Sequence, residues 1–154
     1  MTIPDSLLSR APVPGLPTAE VAAWLAAKMC HDFISPASAI LSGLDLLEDP
    51  SAQDMRDDAM GLISSSARKL SDLLSFCRVA FGASASVEMF DARELQRLTA
   101  GIFQHIRAEL DWEVEVPGLS KPAARAVLNL GQLAGAALPT GATVRIHSRI
   151  HDGT

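Results

Sequence analysis

Cysteine is scarce in this sequence. There are two, Cys30 and Cys77, too few for a disulfide scaffold. Positive charge is also short: 13 lysines and arginines stand against 18 aspartates and glutamates, for a net charge of -5. That balance argues against non-specific binding to nucleic acid or to anionic membranes, both of which need a positive surface. No stretch supplies the ~20 uninterrupted apolar residues of a membrane helix. The first residues show no basic region followed by an apolar run, so no secretory leader is expected. The expected location is the cytoplasm, with both cysteines as reduced, buried thiols. Internal repeats and low-complexity blocks are lacking too.

Apolar side chains, by contrast, are plentiful. Hydrophobic residues make up 48% of the 154 positions, which excludes general disorder. The length admits one or two small domains. A chain this small and this apolar has more greasy surface than an obvious core to hold it.

Residues 1–17 carry Pro4, Pro12, Pro14 and Pro17 and read as a flexible or extended lead-in. Thr18 suits a helix N-cap, and Glu20 places negative charge in the first turn. From there to Glu48 the pattern is helical. Ala26, Cys30, Phe33, Ala37, Ile40, Leu44 and Leu47 form an apolar stripe at 4-3-4-3 spacing. Lys28, His31, Ser35, Ser38, Ser42 and Asp45 form the opposite, wet face. Asp49 and Pro50 stop this helix. Ser51 and Asp54 resemble a capping box opening a second helix that runs to Phe81, with Gly82 as its stop. So short a connection implies an antiparallel hairpin over residues 18–82.

The pattern then changes. Asp91 can cap a helix from Ala92 to about Arg107. Trp112, Val114 and Val116 alternate with Glu113 and Glu115, which predicts a strand. Ser120 can cap a further helix carrying Val127, Leu128, Leu130, Leu133 and Leu138, ended by Pro139 and Gly141. Val144, Ile146 and Ile150 predict a last strand, and Asp152-Gly153 a turn.

The sharpest chemical feature is His31-Asp32-Phe33-Ile34-Ser35-Pro36. His31 falls on the polar face of a long helix. Pro36 falls inside that helix, where it costs roughly 3 kcal/mol without compensation. It removes one backbone hydrogen bond and frees the carbonyl of Asp32, so a kink is expected one turn past the histidine. Three bland readings sit beside the functional one. Lys28 reads more readily as surface, and Asp32 and Ser35 fit a solvated face equally well. Cys30 points ~100° away from His31 on a helix, and so reads as a core thiol rather than half of a Cys–His pair. His147 and His151 share a strand face without an evident third ligand, and read as surface residues.

The box from His31 to Pro36 resembles the phosphoacceptor segment of two-component histidine kinases. Residues 29–40, 42–59 and 78–85, continuing to about 138, closely resemble the alphaproteobacterial ChpT family of histidine phosphotransferases. The resemblance implies an α+β fold. Its first part is a long helical hairpin, residues 18–82, forming a dimeric four-helix bundle with a second copy. Its second part, residues 90–154, is a partial, degenerate α/β sandwich resembling the histidine-kinase ATP-binding domain, and shorter than the family's.

It also implies relay of a phosphoryl group between receiver-domain aspartates through His31. Asp32 would orient the imidazole or take its proton. Ser35 would hydrogen-bond near the phosphoryl group, and Lys28 would offset its charge. The implied partners are a second copy, the receiver domain of a hybrid histidine kinase and response-regulator receivers. Mg²⁺ is expected in the receiver, and no cofactor in this chain. A working kinase carries an Asn-Leu-x-x-Asn-Ala-like motif here. The counterpart is Asn129-Leu130-Gly131-Gln132-Leu133-Ala134, where Leu133 cannot ligate Mg²⁺. No glycine-rich phosphate loop follows. The alternatives are an ATP-dependent histidine kinase and a receiver-docking module without chemistry.

Overall fold

In the computed structural model of the protein, residues 18–82 and 88–148 are described. The expected lead-in at 1–17, Ile150, His151 and the turn at 152–153 lie outside them. Helix α1 spans Thr18–Glu48, a 3₁₀ segment spans Pro50–Met55, and α2 spans Arg56–Ala80. The two helices pack as the expected hairpin. The cap between them is Asp49 rather than Ser51. Its Oδ1 accepts from the Ser51 amide at 2.8 Å and from the Ser51 hydroxyl at 2.7 Å. Those two bonds, the hydroxyl's first, hold the Asp49 carboxyl below its ordinary range. Pro50 sits at the first helical position, so the segment starts two residues earlier than a cap at Ser51 would place it.

Gly43 sets how closely the helices approach. A β-carbon there would lie 2.6 Å from Cγ1 of Ile63 and 3.1 Å from the Ala59 carbonyl oxygen. Both Gly43 and Pro36 are buried, and α1 continues through Pro36 without a break. The expected apolar stripe divides into two faces. Phe33, Ile40 and Leu47 are half-buried, while Ala26, Cys30 and Leu44 are exposed. The expectation that both thiols are buried therefore fails for Cys30 in the single chain. It follows Met29, which is half-buried, and one helical step turns it outward. Cys77 on α2 is half-buried, and burial pushes its thiol up, with the Asp32 carboxylate adding to the effect.

The second part runs β1 (Met89–Asp91), α3 (Ala92–Phe103), β2 (Glu109–Val114), β3 (Gly118–Ser120), α4 (Lys121–Ala137) and β4 (Thr143–Ser148). The observed fold is α+β, mostly helical. β1 pairs antiparallel with β3, Phe90 opposite Leu119. β2 pairs parallel with β4, from Glu109 opposite Thr143 to Val114 opposite Ser148. Parallel strands need a crossover, here through β3 and α4. Arg145 on β4 reinforces that pair, its Nε donating to Oδ2 of Asp111 at 2.7 Å. α3 ends at Phe103, short of the expected Arg107, because the chain enters turns there. β1 and β3, three residues each, are too short for alternation to reveal. Ser120 does precede α4, but without a capping hydrogen bond from its side chain.

Asp91 is the working cap of α3, its Oδ1 accepting from the amides of Arg93 at 2.8 Å and Glu94 at 3.1 Å. Asp91→Ala is expected to lower stability by about 1 kcal/mol, and Asp91→Asn to retain most of it. Urea denaturation of the two variants checks this.

The core does not respect the boundary between the two parts. Leu73, Phe76 and Ala80 of α2 cluster with Leu95, Leu98 and Ile102 of α3 and with Ala124 and Leu128 of α4. A smaller cluster of Phe103, Ala108 and Val144 secures the β2–β4 end. The guanidinium of Arg125 on α4 donates to the Gly82 carbonyl, fastening α4 to the end of α2. Several large apolar residues of the hairpin stay outside these clusters. Val21, Trp24, Ile34, Leu41 and Leu44 on α1, and Met60 and Leu74 on α2, are all exposed.

Candidate functional site

Lys28, His31, Asp32 and Ser35 lie within two turns of α1, at helical spacing that aligns them on one side. That side faces the second part of the protein. The four residues form one wall of a cleft of about 270 Å³. The other wall comes from Lys69 and Leu73 of α2, from Ile102 of α3 with His105 and Ile106 in the turns after it, and from Gln132, Leu133 and Ala136 of α4. A larger hollow of about 510 Å³ lies between α3 and the β2–β3 connection. It brings together Asp91, Arg93, Gln96 and Trp112 but no histidine or cysteine. The smaller cleft is where nucleophile, acid and cations converge.

Within it Asp32 holds two neighbours. Lys28 Nζ lies 2.6 Å from Asp32 Oδ2, and His31 Nδ1 lies 3.3 Å from Asp32 Oδ1. The His31 side chain is 88% exposed, so it stands clear of the helix into solvent. An ionised carboxylate can only accept hydrogen bonds. With Nδ1 donating to Asp32, the neutral form of the imidazole would keep its lone pair on Nε2. The Lys28–Asp32 pair is half-exposed and worth only a few tenths of a kcal/mol to the helix. Its consequence is positional, since it fixes the carboxylate against the imidazole. Ser35 is exposed one turn on. Pro36, on the adjoining face, is buried against α2 and leaves the Asp32 carbonyl without its helical partner.

Across the cleft, His105 Nε2 lies 3.1 Å from Asp72 Oδ2, joining the turn after α3 to α2. Periodicity gives no signal for Lys69, Asp72, His105 or Gln132 as site residues. Lys69, His105 and Gln132 enter the cleft only through the packing of α3 and α4 on α2, and Asp72 acts on it only through His105. Leu133 is 60% exposed and lines the same cleft, so it is not a core residue. The Asn129 side chain is committed to its own helix, Nδ2 donating to the Arg125 carbonyl at 2.8 Å. His147 lies on β4. No group of three or more metal-ligating side chains is found among the described residues. No helix among them is long and apolar enough to cross a membrane.

Comparison with known proteins adds an independent line. Residues 92–153 match the histidine phosphotransferase C-terminal domain family. The protein phosphotransferase ChpT of Brucella abortus (strain 2308) is 37% identical over 128 residues, which are 82% of this chain and 60% of that protein. A solved 1.7 Å structure of a bacterial phosphotransferase superposes with a TM-score of 0.77 at 35% identity, covering 92% of this chain and 66% of the other. The chain spans three fifths of the length of the first and just under two thirds of the second. In sequence and in fold the chain is thus similar to the ChpT-type histidine phosphotransferases, and its residues 92–153 match that family's C-terminal domain.

Proposed function

We propose that this protein relays a phosphoryl group between receiver-domain aspartates through His31. The observation that carries the reading is the state of that side chain: solvent-exposed, with Nδ1 engaged by Asp32 and Nε2 free. A neutral imidazole nitrogen is a good nucleophile near neutral pH. Nε2 attacks the phosphorus of an aspartyl phosphate on a docked receiver. The P–O bond to the receiver carboxyl breaks, and that carboxylate leaves with the electron pair. The proton on Nδ1 leans toward Asp32 as the ring acquires positive character. The reverse sequence passes the group to a second receiver. Such transfer needs mainly in-line positioning and charge neutralisation. Ser35 supplies a hydroxyl one turn from the nitrogen, Lys28 holds the acid, and Mg²⁺ comes with the receiver.

The functional unit in this reading is a cytoplasmic homodimer. A second copy covers the exposed Ile34, Leu41 and Leu44, which share one side of α1, and completes a four-helix bundle. Burial at ~25 cal/mol per Å² favours that pairing. The second part is a kinase-like domain that has lost ATP. Support comes from Leu133 in a position that demands an oxygen ligand and from Asn129 turned onto its own helix. The receiver partners are those of a hybrid histidine kinase and of response regulators.

The test is transfer from a labelled, phosphorylated receiver. Label is expected to move to the protein with acid-labile, base-stable phosphohistidine character. Incubation with labelled ATP and no partner is expected to leave the protein unlabelled. Self-labelling by ATP would replace this reading with a kinase. Docking of receivers without transfer would replace it with a binding module.

A further inference from the structure

Three cationic or potentially cationic side chains line the His31 cleft besides His31 itself: Lys28, Lys69 and His105. Two of them have a carboxylate partner. Lys28 is paired with Asp32 at 2.6 Å, and His105 faces Asp72 at 3.1 Å. Lys69 is half-buried in the α2 wall, and has no hydrogen bond or ion pair to any described residue. A lysine that shares a cleft with His31, left uncompensated while its cationic neighbours are paired, is poised for an anion that arrives later. Lysine suits the task, with three rotatable donors on a flexible stem. A phosphoryl group on His31 brings nearly two negative charges to this cleft. Lys28 is poorly placed to meet them, because the orienting carboxylate already holds it.

We propose that Lys69, rather than Lys28, is the residue of this chain that binds the phosphoryl group on His31, with the Gln132 amide as a second donor from α4. The proposal rests on the phosphohistidine reading of His31. The phosphohistidine is thereby stabilised relative to the aspartyl phosphate, which draws the group off the receiver. The second part of the protein gains a role as well, since α4 closes the cleft around the transferred group.

Phosphoramidate loads an exposed histidine without any receiver. Nε2–P forms, P–N of the reagent breaks and ammonia leaves. In full-length protein with ¹⁵N-labelled lysine, the side-chain ammonium signal of Lys69 is assigned by its loss in Lys69→Met. That signal is expected to shift on loading, and to stay fixed in His31→Ala treated alike. Exchange with a phosphorylated receiver is then measured at equilibrium. Lys69→Met keeps the apolar stem and is expected to shift the balance about fivefold back to the receiver, the upper range for a solvent-reachable charge pair. Lys69→Arg is expected to stay within about twofold of wild type, and receiver affinity to be unchanged in both.

A Lys69 signal that does not move on loading would overturn the proposal. So would a shift confined to Lys28, or an exchange balance unaltered in Lys69→Met. A loss located wholly in receiver affinity would make Lys69 a docking residue instead. If phosphoramidate moves the Lys69 signal but no receiver transfers to wild type, the relay reading falls and the phosphoryl-binding role of Lys69 stands.

Discussion

His31→Ala is expected to abolish phosphoryl acceptance, on the order of a thousandfold or more below wild type, because it removes the attacking atom itself. The same variant should fold normally. The side chain is 88% exposed, its one hydrogen-bonding partner among the described residues is the neighbouring Asp32, and alanine is the best helix former. Its stability is expected within about 0.5 kcal/mol of wild type. A matched pair of measurements checks this: transfer from a labelled receiver, and thermal unfolding. Equal transfer to wild type and variant would place the acceptor elsewhere. A large loss of stability would mean that the histidine is structural. Receiver binding should survive the substitution, since on the proposed reading docking draws on surface around the histidine and not on Nε2. Binding without transfer in His31→Ala, set against binding with transfer in wild type, separates chemistry from recognition in a single comparison.

The largest effect on stability is expected from Phe76→Ala. Phe76 is 1% exposed and sits on α2 among residues of α3 and α4. Truncating a buried phenylalanine costs about 3–5 kcal/mol, the lost transfer energy adding to the cavity left behind. The surroundings have little freedom to collapse, because Leu95 and Leu128 are themselves fully buried. Phe76→Leu should cost much less, about 1–2 kcal/mol, by filling most of the space. Chemical denaturation monitored through the tryptophans gives both values. Trp24 reports from the hairpin and Trp112 from β2, so two single-tryptophan proteins extend the test. Both probes are expected to lose their signals in one transition. A loss below about 1 kcal/mol in Phe76→Ala, or well-separated transitions in the parent, would mean that the two parts do not share a core.

Much of this was legible because punctuation and period agreed. Pro50, Gly82 and Asp91 mark real ends, and the long apolar period between them belongs to real helices. What periodicity could not settle was which neighbour each face of α1 meets. Phe33 and Leu44 belong to one stripe in a heptad reading, yet one turns toward α2 and the other outward. The reason is that the stripe is wide enough for two contacts and the sequence does not name them. The cap at Asp49 was obscured by Ser51, a good cap itself, because Pro50 moves the start by two residues. The short strands β1 and β3 owe their existence to each other. Phe90 pairs with Leu119 across a separation no local pattern spans. The cleft follows the same rule. His31 was visible as a motif on α1, whereas Lys69, His105 and Gln132 become its neighbours through long-range packing.

The hydrophobic cluster shared by α2, α3 and α4 bears on how such proteins can be rewired. A hairpin cut out after Gly82 and transplanted would carry the underside of Leu73, Phe76 and Ala80 bare into solvent. Chimeras that exchange only the helical pair should therefore precipitate, whereas exchanges that take the pair together with α3 and α4 should dissolve and work. On the proposed reading, variation that changes partners without this penalty falls on outward positions of α1 and the start of α2, away from that cluster.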